Sequence, residues 1–301
     1  MSTSYHVAVI GLGAMGMGAA RSCLRAGLTT YGIDLSEQAR SQLQQAGAAV
    51  MADARPLAET LDAVLLLVVN ATQVRRILLG EEGLARHLKP GTAIMVSSTI
   101  AAEEASSLAA ELAQLGLPML DAPVSGGAIK ADAGEMTVMA AGSDAAFDKL
   151  APVLDAVAGK LYRVGSEPGQ GSTVKIIHQL LAGVHIAVAA EAMALASRAG
   201  VPLDLMYDVV THAAGNSWMF ENRMPRVLTG DYQARSAVDI FVKDLTLVAD
   251  TAKTLRFPLP LASTALNMFL SASNAGHGQE DDSAVIKTFS GIQLPGQEEQ
   301  P

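Results

Sequence analysis

The sequence predicts an α/β domain built on a parallel sheet, followed by an all-α domain. In the first half of the chain, short apolar runs alternate with segments of helical spacing, the pattern that produces a sheet covered by helices. A glycine-rich turn joins the first run to the first helix, and after residue 171 only long Ala-, Leu- and Met-rich segments of helical spacing follow. With 301 residues, the chain is long enough for two domains that each bury a core.

The predicted strands are short apolar runs, several of them without a polar residue, as expected for strands buried on both faces of a sheet. They cover His6–Ile10, Leu28–Ile33, Ala48–Met51, Ala63–Val69, Thr92–Val96, Leu117–Leu120, Met136–Ala141 and Leu161–Val164. Helices are predicted between them at Ala14–Ala26, Ser36–Gln45, Ala101–Leu115 and Asp144–Ala158. Ser36 and Asp144 are predicted as N-caps, because short polar side chains accept hydrogen bonds from the free N–H groups of a helix start.

The segment 165–171 contains three glycines and a proline and marks a change of pattern. We therefore predict a dinucleotide-binding domain over residues 1–165 and a helical domain over residues 166–301, which begins with a long helix. The polar residues Gln297–Pro301 are expected to fray. Helices of the second domain are predicted at Ser172–Ala199, Pro202–Ala213, Ser217–Leu228, Ala237–Arg256 and Leu259–Ala275.

Composition argues against several functional classes. A net charge of −9 without a basic run, together with an aromatic content of 4%, argues against a nucleic-acid partner. The start of the chain lacks a basic segment followed by an apolar one, and charge-free apolar runs fall short of ~20 residues, so we predict neither export nor membrane insertion. The single cysteine, Cys23, lies in an apolar helical pattern, which predicts a packed core thiol in a cytoplasmic protein.

Residues 7–16 form a predicted strand that leads into a Gly-x-Gly-x-x-Gly turn and then a helix, the context of a Rossmann dinucleotide-binding site. The first glycine permits the tight turn, the second lets the backbone approach the pyrophosphate, and the third lets the helix pack on the strand. The free N–H groups of the helix start attract the phosphates. The predicted cofactor-binding residues of this turn are Gly11, Leu12, Gly13, Ala14, Met15 and Gly16.

Asp34 ends the second predicted strand, 18 residues after Gly16, close to the spacing of ~20 residues expected for the acid that binds the adenosine ribose. A carboxylate there repels the 2′-phosphate of NADP, so the predicted cofactor is NAD. Leu35 follows rather than an arginine, although Arg40 could still allow some NADP binding. Further along the chain, the cofactor site is predicted to include Val69 and Asn70.

Two further segments predict the chemistry. The residues Ser125–Gly127 follow a predicted strand at the sheet edge where ligands bind, and their N–H groups and hydroxyl suit a carboxylate, although they could also form an ordinary tight turn. Lys175 lies in an apolar helix start, with His178 and Gln179 on the same face. Oxidation of an alcohol requires that the hydroxyl proton leave, and a lysine in a desolvated site can accept it. A helical lysine is otherwise commonly a solvated surface residue.

Four motifs together resemble the 3-hydroxyisobutyrate dehydrogenase family of β-hydroxyacid dehydrogenases, and the resemblance spans nearly the whole chain. They are Gly-Leu-Gly-x-Met-Gly at 11–16, Asp-Ala-Pro-Val-Ser-Gly-Gly at 121–127, Gly-x-Gly-x-x-x-Lys at 169–175 and Lys-Asp-Leu-x-Leu at 243–247. The resemblance implies a 6-phosphogluconate dehydrogenase-like C-terminal domain, a homodimer or homotetramer, and Lys175 as the catalytic residue. It further implies that Thr99 lies near the nicotinamide ribose, that Lys243 closes over the cofactor, and that the substrate carboxylate is held by Ser125, Gly126 and Gly127.

One departure from the family pattern concerns the substrate. The family usually has Lys-x-x-Asn-Asn in this helix, whereas this chain has His178 and Gln179 after Lys175. Residues 175–183 resemble the L-threonate dehydrogenase branch, which implies NAD-dependent oxidation of a four-carbon sugar acid to 2-oxo-tetronate (2-dehydro-L-erythronate). His178 and Gln179 are then expected to bind substrate hydroxyls, with Asn216 or Ser217 as further candidates. His178 could instead be a core histidine, and Ser217 a helix cap.

Other functions stay open at this stage. The same residues would serve a reductase of tartronate semialdehyde or another short-chain semialdehyde, or a 3-hydroxyisobutyrate dehydrogenase. Imine reductases and non-catalytic NAD-binding modules of this architecture commonly lack the lysine, so Lys175 argues against both. No metal site is predicted, because His178 has no carboxylate or cysteine at ligand spacing. The predicted partner is therefore a small hydroxy acid, with neither nucleic acid nor membrane.

Overall fold

The computed structural model describes residues 4–295, so the predicted tail Gln297–Pro301 lies outside the described residues. The chain divides into two compact units, one ending at Lys175 and the other beginning at Ile176. The first unit is α/β and the second is all-helical, as the sequence pattern predicts. The domain boundary after residue 165 stays a prediction.

The first unit is built on a single sheet. Its strands are β1 His6–Ile10, β2 Thr29–Ile33, β3 Ala49–Met51, β4 Ala63–Leu66, β5 Ala93–Val96, β6 Met119–Asp121, β7 Val124–Ser125, β8 Met136–Ala141 and β9 Ala158–Gly165. The spatial order is β3-β2-β1-β4-β5-β6-β8-β7, with β9 beside β8. Strands β1 to β6 are parallel, as predicted, but β8 runs antiparallel to β6 and β7, so the sheet is mixed.

Successive residues of the central strands face opposite sides of the sheet and enter two different apolar clusters. Val7 and Val9 of β1 pack in one cluster, whereas Ala8 and Ile10 pack in the other. Both faces are covered, which explains why the run has no polar alternation. Cys23 is fully buried in the first cluster, and burial raises its pKa to about 12. The prediction of a packed core thiol is confirmed.

Within residues 4–165, six α-helices cover this sheet. They are α1 Ala14–Arg25, α2 Glu37–Gln45, α3 Ala71–Leu79, α4 Ala102–Gln114, α5 Gly127–Ala133 and α6 Asp144–Val157. Ser36 caps α2 as predicted, since its hydroxyl accepts a hydrogen bond from the N–H of Ala39. The prediction that Asp144 caps α6 is wrong: Ser143 is the cap and accepts from the N–H of Ala146 at 3.3 Å. Asp144 is instead the first helical residue, where a negative charge faces the positive end of the helix dipole.

The second unit consists of helices packed around an aliphatic core. They are α7 Gln170–Arg198, whose first turns belong to the first unit, α8 Leu203–Thr211, α9 Trp218–Thr229, α10 Val238–Leu255 and α11 Pro260–Ala272. Each overlaps a predicted helix, with ends that differ by a few residues. By length and composition α7 could cross a membrane, but half of its apolar window is buried inside the protein. That burial is typical of a core helix.

A buried ion pair joins α9 to the chain after α11. Arg223 donates from Nε to Oδ1 of Asp282 at 2.6 Å and from its second nitrogen to Oδ2 at 3.0 Å. Asp282 is fully buried. Removing either partner alone would leave an uncompensated charge in the core, so this pair fixes the end of the unit to α9. Nothing in the sequence pattern around Arg223 predicts the contact, because its partner lies 59 residues away.

Candidate active site

The glycine turn between β1 and α1 has the geometry of a dinucleotide-binding loop. Gly11 has a φ of +92°, a conformation that other residues rarely adopt. A Cβ atom placed on Gly16 would lie 1.7 Å from the carbonyl oxygen of Gly11, so only glycine allows the helix to start here. A Cβ atom on Gly13, in contrast, would find no heavy atom within 4 Å. The turn is closed on the protein side and open at Gly13, where a pyrophosphate is predicted to approach.

Asp34, at the end of β2, lies beside this turn. Its Oδ2 accepts a hydrogen bond from the N–H of Leu12 at 2.7 Å, and its Oδ1 accepts from the N–H of Ser36 at 2.8 Å. The carboxylate therefore connects β2 to the glycine turn. Arg40 donates from one nitrogen to the carbonyl oxygens of Asp34 and Leu35, at 2.7 and 2.9 Å. Arg40, the cation that was considered for binding the 2′-phosphate of NADP, is therefore directed at the backbone.

Two further observations fit a dinucleotide in this unit. A cavity of about 300 Å³ lies beside Asp34 and is also lined by Gly11, Arg55 and Arg76, at the lower end of the size range of ligand pockets. In the segment after β5, the hydroxyl oxygens of Ser97 and Ser98 are buried, and neither finds a hydrogen-bond partner in the part of the chain that the structure describes. Buried hydroxyls are normally paired, so these two are open to groups of a bound cofactor. NAD therefore fits the residues present.

Val69 and Asn70, which the sequence analysis assigns to the cofactor, form the start of α3. The side-chain oxygen of Asn70 accepts a hydrogen bond from the N–H of Gln73 at 2.9 Å and so caps this helix. The N–H of Val69 donates to the side-chain oxygen of Gln73 at 2.8 Å. This reciprocal arrangement resembles a capping box, except that Gln73 accepts from the residue before the N-cap rather than from the N-cap itself. Both residues thus have a local structural role, and their contact with the cofactor stays a prediction.

The carboxylate of Asp121 attaches the start of α7 to the end of β6. It is fully buried and accepts hydrogen bonds from the N–H of Gly169 at 2.8 Å and from the N–H and hydroxyl of Ser172 at 2.8 and 2.7 Å. Burial raises the pKa of Asp121, and these hydrogen bonds act in the opposite direction. Asp121 begins the motif at 121–127, but no role was predicted for it. The feature of the sequence that could have indicated a role is an acidic residue at the end of a buried strand.

Lys175 lies one turn after Ser172 on α7. Only 6% of its surface is exposed, which is rare for lysine, since the ammonium group is normally solvated. The surface role that the sequence analysis kept as an alternative is therefore wrong for this residue. Its helix is anchored by Asp121, which itself stands four residues before Ser125 in the chain.

The residues Ser125–Gly127 form a turn between β7 and α5. Gly126 and Gly127 have φ angles of +132° and +72°, so both occupy backbone conformations that favour glycine. Ser125 is held by pairing with Thr137 of β8. The segment is thus a rigid glycine turn at the end of a strand.

Helix α5, which follows this turn, packs closely on α1, which follows the dinucleotide turn. A Cβ atom on Gly18 would lie 2.4 Å from the backbone nitrogen of Asp132. The hydroxyl of Ser22 donates to the carbonyl oxygen of Ala131 at 3.0 Å. The helices that begin at the two predicted binding turns are therefore in direct backbone contact.

In the second unit, three predicted site residues are connected through one carboxylate. Nδ1 of His178 lies 3.0 Å from Oε1 of Gln179, and Nε2 of Gln179 donates to Oδ2 of Asp244 at 2.5 Å. Nζ of Lys243 lies 2.7 Å from the other oxygen, Oδ1, of Asp244. Roles were predicted for His178, Gln179 and Lys243 but not for Asp244, which is 2% exposed. The feature of the sequence that could have indicated a role for Asp244 is an acidic residue within an apolar helical pattern.

Two further candidates for binding substrate hydroxyls, Asn216 and Ser217, lie directly before α9. Ser217 is the N-cap of this helix and accepts a hydrogen bond from the N–H of Phe220 at 3.1 Å, which agrees with the capping alternative. The side-chain oxygen of Asn216 is buried, and no residue between 4 and 295 donates a hydrogen bond to it. Trp218, the first residue of this helix, is half exposed. Of these residues, Asn216 has the more open hydrogen-bonding capacity.

Comparison with known proteins covers both units. Residues 6–165 match the family model described as the NAD binding domain of 6-phosphogluconate dehydrogenase, and residues 169–289 match the one described as NAD-binding of NADP-dependent 3-hydroxyisobutyrate dehydrogenase. L-threonate dehydrogenase of an Escherichia coli strain is 72% identical over 295 residues, 98% of either chain. L-threonate dehydrogenase of Pectobacterium atrosepticum is 69% identical and covers 100% of this chain and 99% of its own.

A solved structure supports the same assignment. The crystal structure of 3-hydroxyisobutyrate dehydrogenase from Salmonella typhimurium is 70% identical, with a TM-score of 0.92, and covers 95% of this chain and 100% of its own. The resemblance inferred from four short motifs is confirmed by matches that extend over almost the whole chain. The chain belongs to the 3-hydroxyisobutyrate dehydrogenase family of NAD-dependent hydroxy acid dehydrogenases.

Proposed function

We propose that this enzyme oxidises L-threonate at C2 to 2-oxo-tetronate with NAD, and that Lys175 is the general acid/base. The observation that carries the proposal is the attachment of α7 to Asp121. Through it, the buried Lys175 belongs to the same compact unit as the dinucleotide turn and the turn Ser125–Gly127. The names of the full-length relatives support the substrate.

Each predicted site residue has a separate role in the proposed oxidation. NAD supplies the hydride acceptor. Lys175 accepts the proton of the C2 hydroxyl during oxidation and returns it in the reverse direction, a role for which a buried amine is suited. The N–H groups and hydroxyl of Ser125–Gly127 hold the substrate carboxylate, and their fixed backbone keeps the reacting carbon at a constant position. Thr99 and Lys243 are proposed to contact the cofactor.

The substrate choice depends on His178 and Gln179. L-threonate carries hydroxyls at C3 and C4, whereas hydroxyisobutyrate carries a methyl branch. A buried amide that is hydrogen-bonded to Asp244, with an imidazole beside it, forms polar surroundings that suit a hydroxylated ligand better than a methyl branch. We therefore prefer L-threonate to the hydroxyisobutyrate named for the solved neighbour.

The role of Lys175 is tested by Lys175→Ala. We expect turnover to fall by at least ~10²-fold, because the proton acceptor is lost, while NADH binding, followed by its fluorescence, changes by less than about twofold. Lys253→Ala, an exposed lysine of α10, is the control and should behave as wild type. A Lys175→Ala enzyme with a near-normal rate would remove Lys175 from the mechanism.

The substrate is tested by NAD reduction with L-threonate, erythronate, glycerate, tartronate and 3-hydroxyisobutyrate, and by NADH oxidation with tartronate semialdehyde. We expect the highest kcat/KM with L-threonate. Activity with hydroxyisobutyrate alone would contradict the role given to His178 and Gln179. A strong preference for the semialdehyde would make the enzyme a reductase with the same residues.

We also propose that the enzyme is a homo-oligomer that associates through α7. Ile177, Leu181, Val188 and Leu195 recur at spacings of four and seven residues, which places them on one face of this helix. They are 59%, 53%, 53% and 69% exposed. An apolar stripe of this length on a helix marks a protein interface, and a second copy, related by a two-fold axis, presents the same stripe. A cytoplasmic location is proposed with it.

A further inference from the structure

We propose that Asp244 is a positioning residue that fixes the hydrogen-bond polarity of Gln179 and His178, so that His178 offers an acceptor nitrogen and selects substrates with a donating hydroxyl. The proposal rests on the proposed function for the identity of the hydroxyl donor. It does not depend on that function for the state of the imidazole. The evidence is the chain of contacts that runs from Lys243 through Asp244 and Gln179 to His178.

Asp244 determines which group donates and which accepts in each of these hydrogen bonds. An ionised carboxylate can only accept hydrogen bonds, and Asp244 is almost fully buried. Lys243 pairs with its Oδ1 at 2.7 Å, and Gln179 reaches its Oδ2 at 2.5 Å. Oδ2 thus accepts a hydrogen bond, and Oδ1 forms an ion pair with Lys243, although within residues 4–295 it accepts no hydrogen bond of regular geometry. The amide of Gln179 must present its NH2 group to Asp244, because the opposite orientation would direct two acceptors at each other.

The orientation of the amide then determines the imidazole tautomer. With its NH2 group on Asp244, Gln179 turns its carbonyl oxygen toward Nδ1 of His178 at 3.0 Å. That oxygen can only accept, so Nδ1 of His178 carries the proton. A neutral imidazole has a single N–H, and Nε2 is therefore the acceptor. Whatever group meets Nε2 must donate, which a hydroxyl does and a carboxylate or ketone oxygen does not.

The length of Gln179 is necessary for this arrangement. Neighbouring residues on a helix normally point in different directions, yet the ring of His178 contacts the side chain of Gln179. A glutamine has one more methylene than the asparagine that the family pattern has here, so its amide can reach Asp244 on α10 and still accept from its neighbour. The His-Gln pair and Asp244 therefore act as one recognition device for hydroxylated acids.

The tautomer is measured directly by long-range ¹⁵N–¹H correlation spectra of imidazole-labelled enzyme at alkaline pH, where histidine rings are neutral. The chain has six histidines, and the spectrum of His178→Ala identifies the signal of His178. We expect the Nδ1–H pattern in the wild type. In Gln179→Met, which keeps the Asp244–Lys243 pair, we expect this preference to be lost. An Nε2–H pattern in the wild type would overturn the proposal.

Substitutions of Asp244 test whether its carboxylate determines the orientation of the Gln179 amide. Asp244→Asn retains a carbonyl oxygen that can accept from Gln179, and we expect the Nδ1–H pattern to persist. Asp244→Leu removes the acceptor, and we expect a mixture of tautomers. If Asp244→Leu does not fold, Gln179→Met alone decides the point. An unchanged Nδ1–H pattern in a folded Asp244→Leu or Gln179→Met enzyme would show that another group sets the tautomer and would overturn the proposal.

The selectivity is tested with two four-carbon acids. L-threonate has hydroxyls at C3 and C4, and 2-hydroxybutyrate lacks both but keeps the reacting C2 hydroxyl. In Gln179→Met we expect kcat/KM for L-threonate to fall by about 10- to 100-fold, and we expect the value for 2-hydroxybutyrate to fall at least ~10-fold less. Equal losses for both acids would overturn the selectivity. If the wild type oxidises neither acid, the proposed function fails, and the spectra still decide the tautomer.

Discussion

Ser172 donates two hydrogen bonds to the carboxylate of Asp121, one from its backbone N–H at 2.8 Å and one from its hydroxyl at 2.7 Å. Asp121 precedes Ser125 by four residues, and Ser172 precedes Lys175 by three. One buried carboxylate therefore sets the relation between the turn proposed to hold the substrate and the helix that bears the proposed base.

Asp121→Ala should impair both stability and turnover. The buried N–H groups of Gly169 and Ser172 would lose their acceptor, so we expect the free energy of unfolding, measured by urea denaturation, to fall by about 3 kcal/mol. We expect kcat to fall at least ~10-fold, because Lys175 is displaced. Ser172→Ala removes a single hydroxyl contact and should cost about 1 kcal/mol. An Asp121→Ala enzyme as stable as wild type would contradict the anchoring role.

Two alanine substitutions in the dinucleotide turn should have different effects. At Gly16 the added Cβ would lie 1.7 Å from a backbone oxygen, so we expect Gly16→Ala to be strongly destabilised or insoluble. At Gly13 the Cβ has open space, so Gly13→Ala should fold with a normal melting temperature but bind NADH at least ~10-fold more weakly, because the methyl group occupies the approach of the pyrophosphate. Normal NADH affinity in Gly13→Ala would place the cofactor elsewhere.

Asp34→Ala should reduce the discrimination against NADP. Loss of the carboxylate removes a ribose ligand and a charge that repels the 2′-phosphate. We expect kcat/KM for NAD to fall and the NADP-to-NAD ratio of kcat/KM to rise by at least ~10-fold. Arg40→Ala is the control: its guanidinium is directed at the carbonyls of Asp34 and Leu35, so the ratio should change by less than about threefold. A larger effect at Arg40 would make it the determinant of cofactor choice.

The apolar stripe on α7 predicts an effect of Leu195→Glu on assembly. A charge at the most exposed position of the stripe should be costly to bury in an interface. We expect light scattering after size exclusion to show a smaller species for this variant than for wild type. Tyr162→Glu, at an exposed position of β9, should leave the mass unchanged. A wild-type enzyme that is monomeric would contradict the proposed assembly.

The parts of the fold that local pattern can encode were predicted. The central strands β1, β4 and β5 are short apolar runs between turns, and buried parallel strands require such runs. Helix α3 was missed, although Val74 and Leu78 repeat at helical spacing, and the preceding strand, predicted to extend to Val69, ends at Leu66. Strand β7 has two residues, too few for any periodicity.

Site residues that lie in contiguous sequence motifs were predicted, whereas site residues that depend on contacts between distant parts of the sequence were not. The glycine turn and Lys175 stand out because their types and neighbours are unusual. Asp121 and Asp244 do not, since their partners Ser172 and Gln179 lie 51 and 65 residues away. Only folding brings these pairs together, and residue spacing carries no information about it.

The contact between Gly18 of α1 and Asp132 of α5 has a consequence for enzyme engineering. Since no side chain separates the two helices at Gly18, we expect that the loops at their starts cannot shift independently, and that a change made in one to alter nucleotide choice would also disturb the other. New hydroxy acid specificities should therefore be sought at His178, Gln179 and Asp244, with the two glycine turns left as they are.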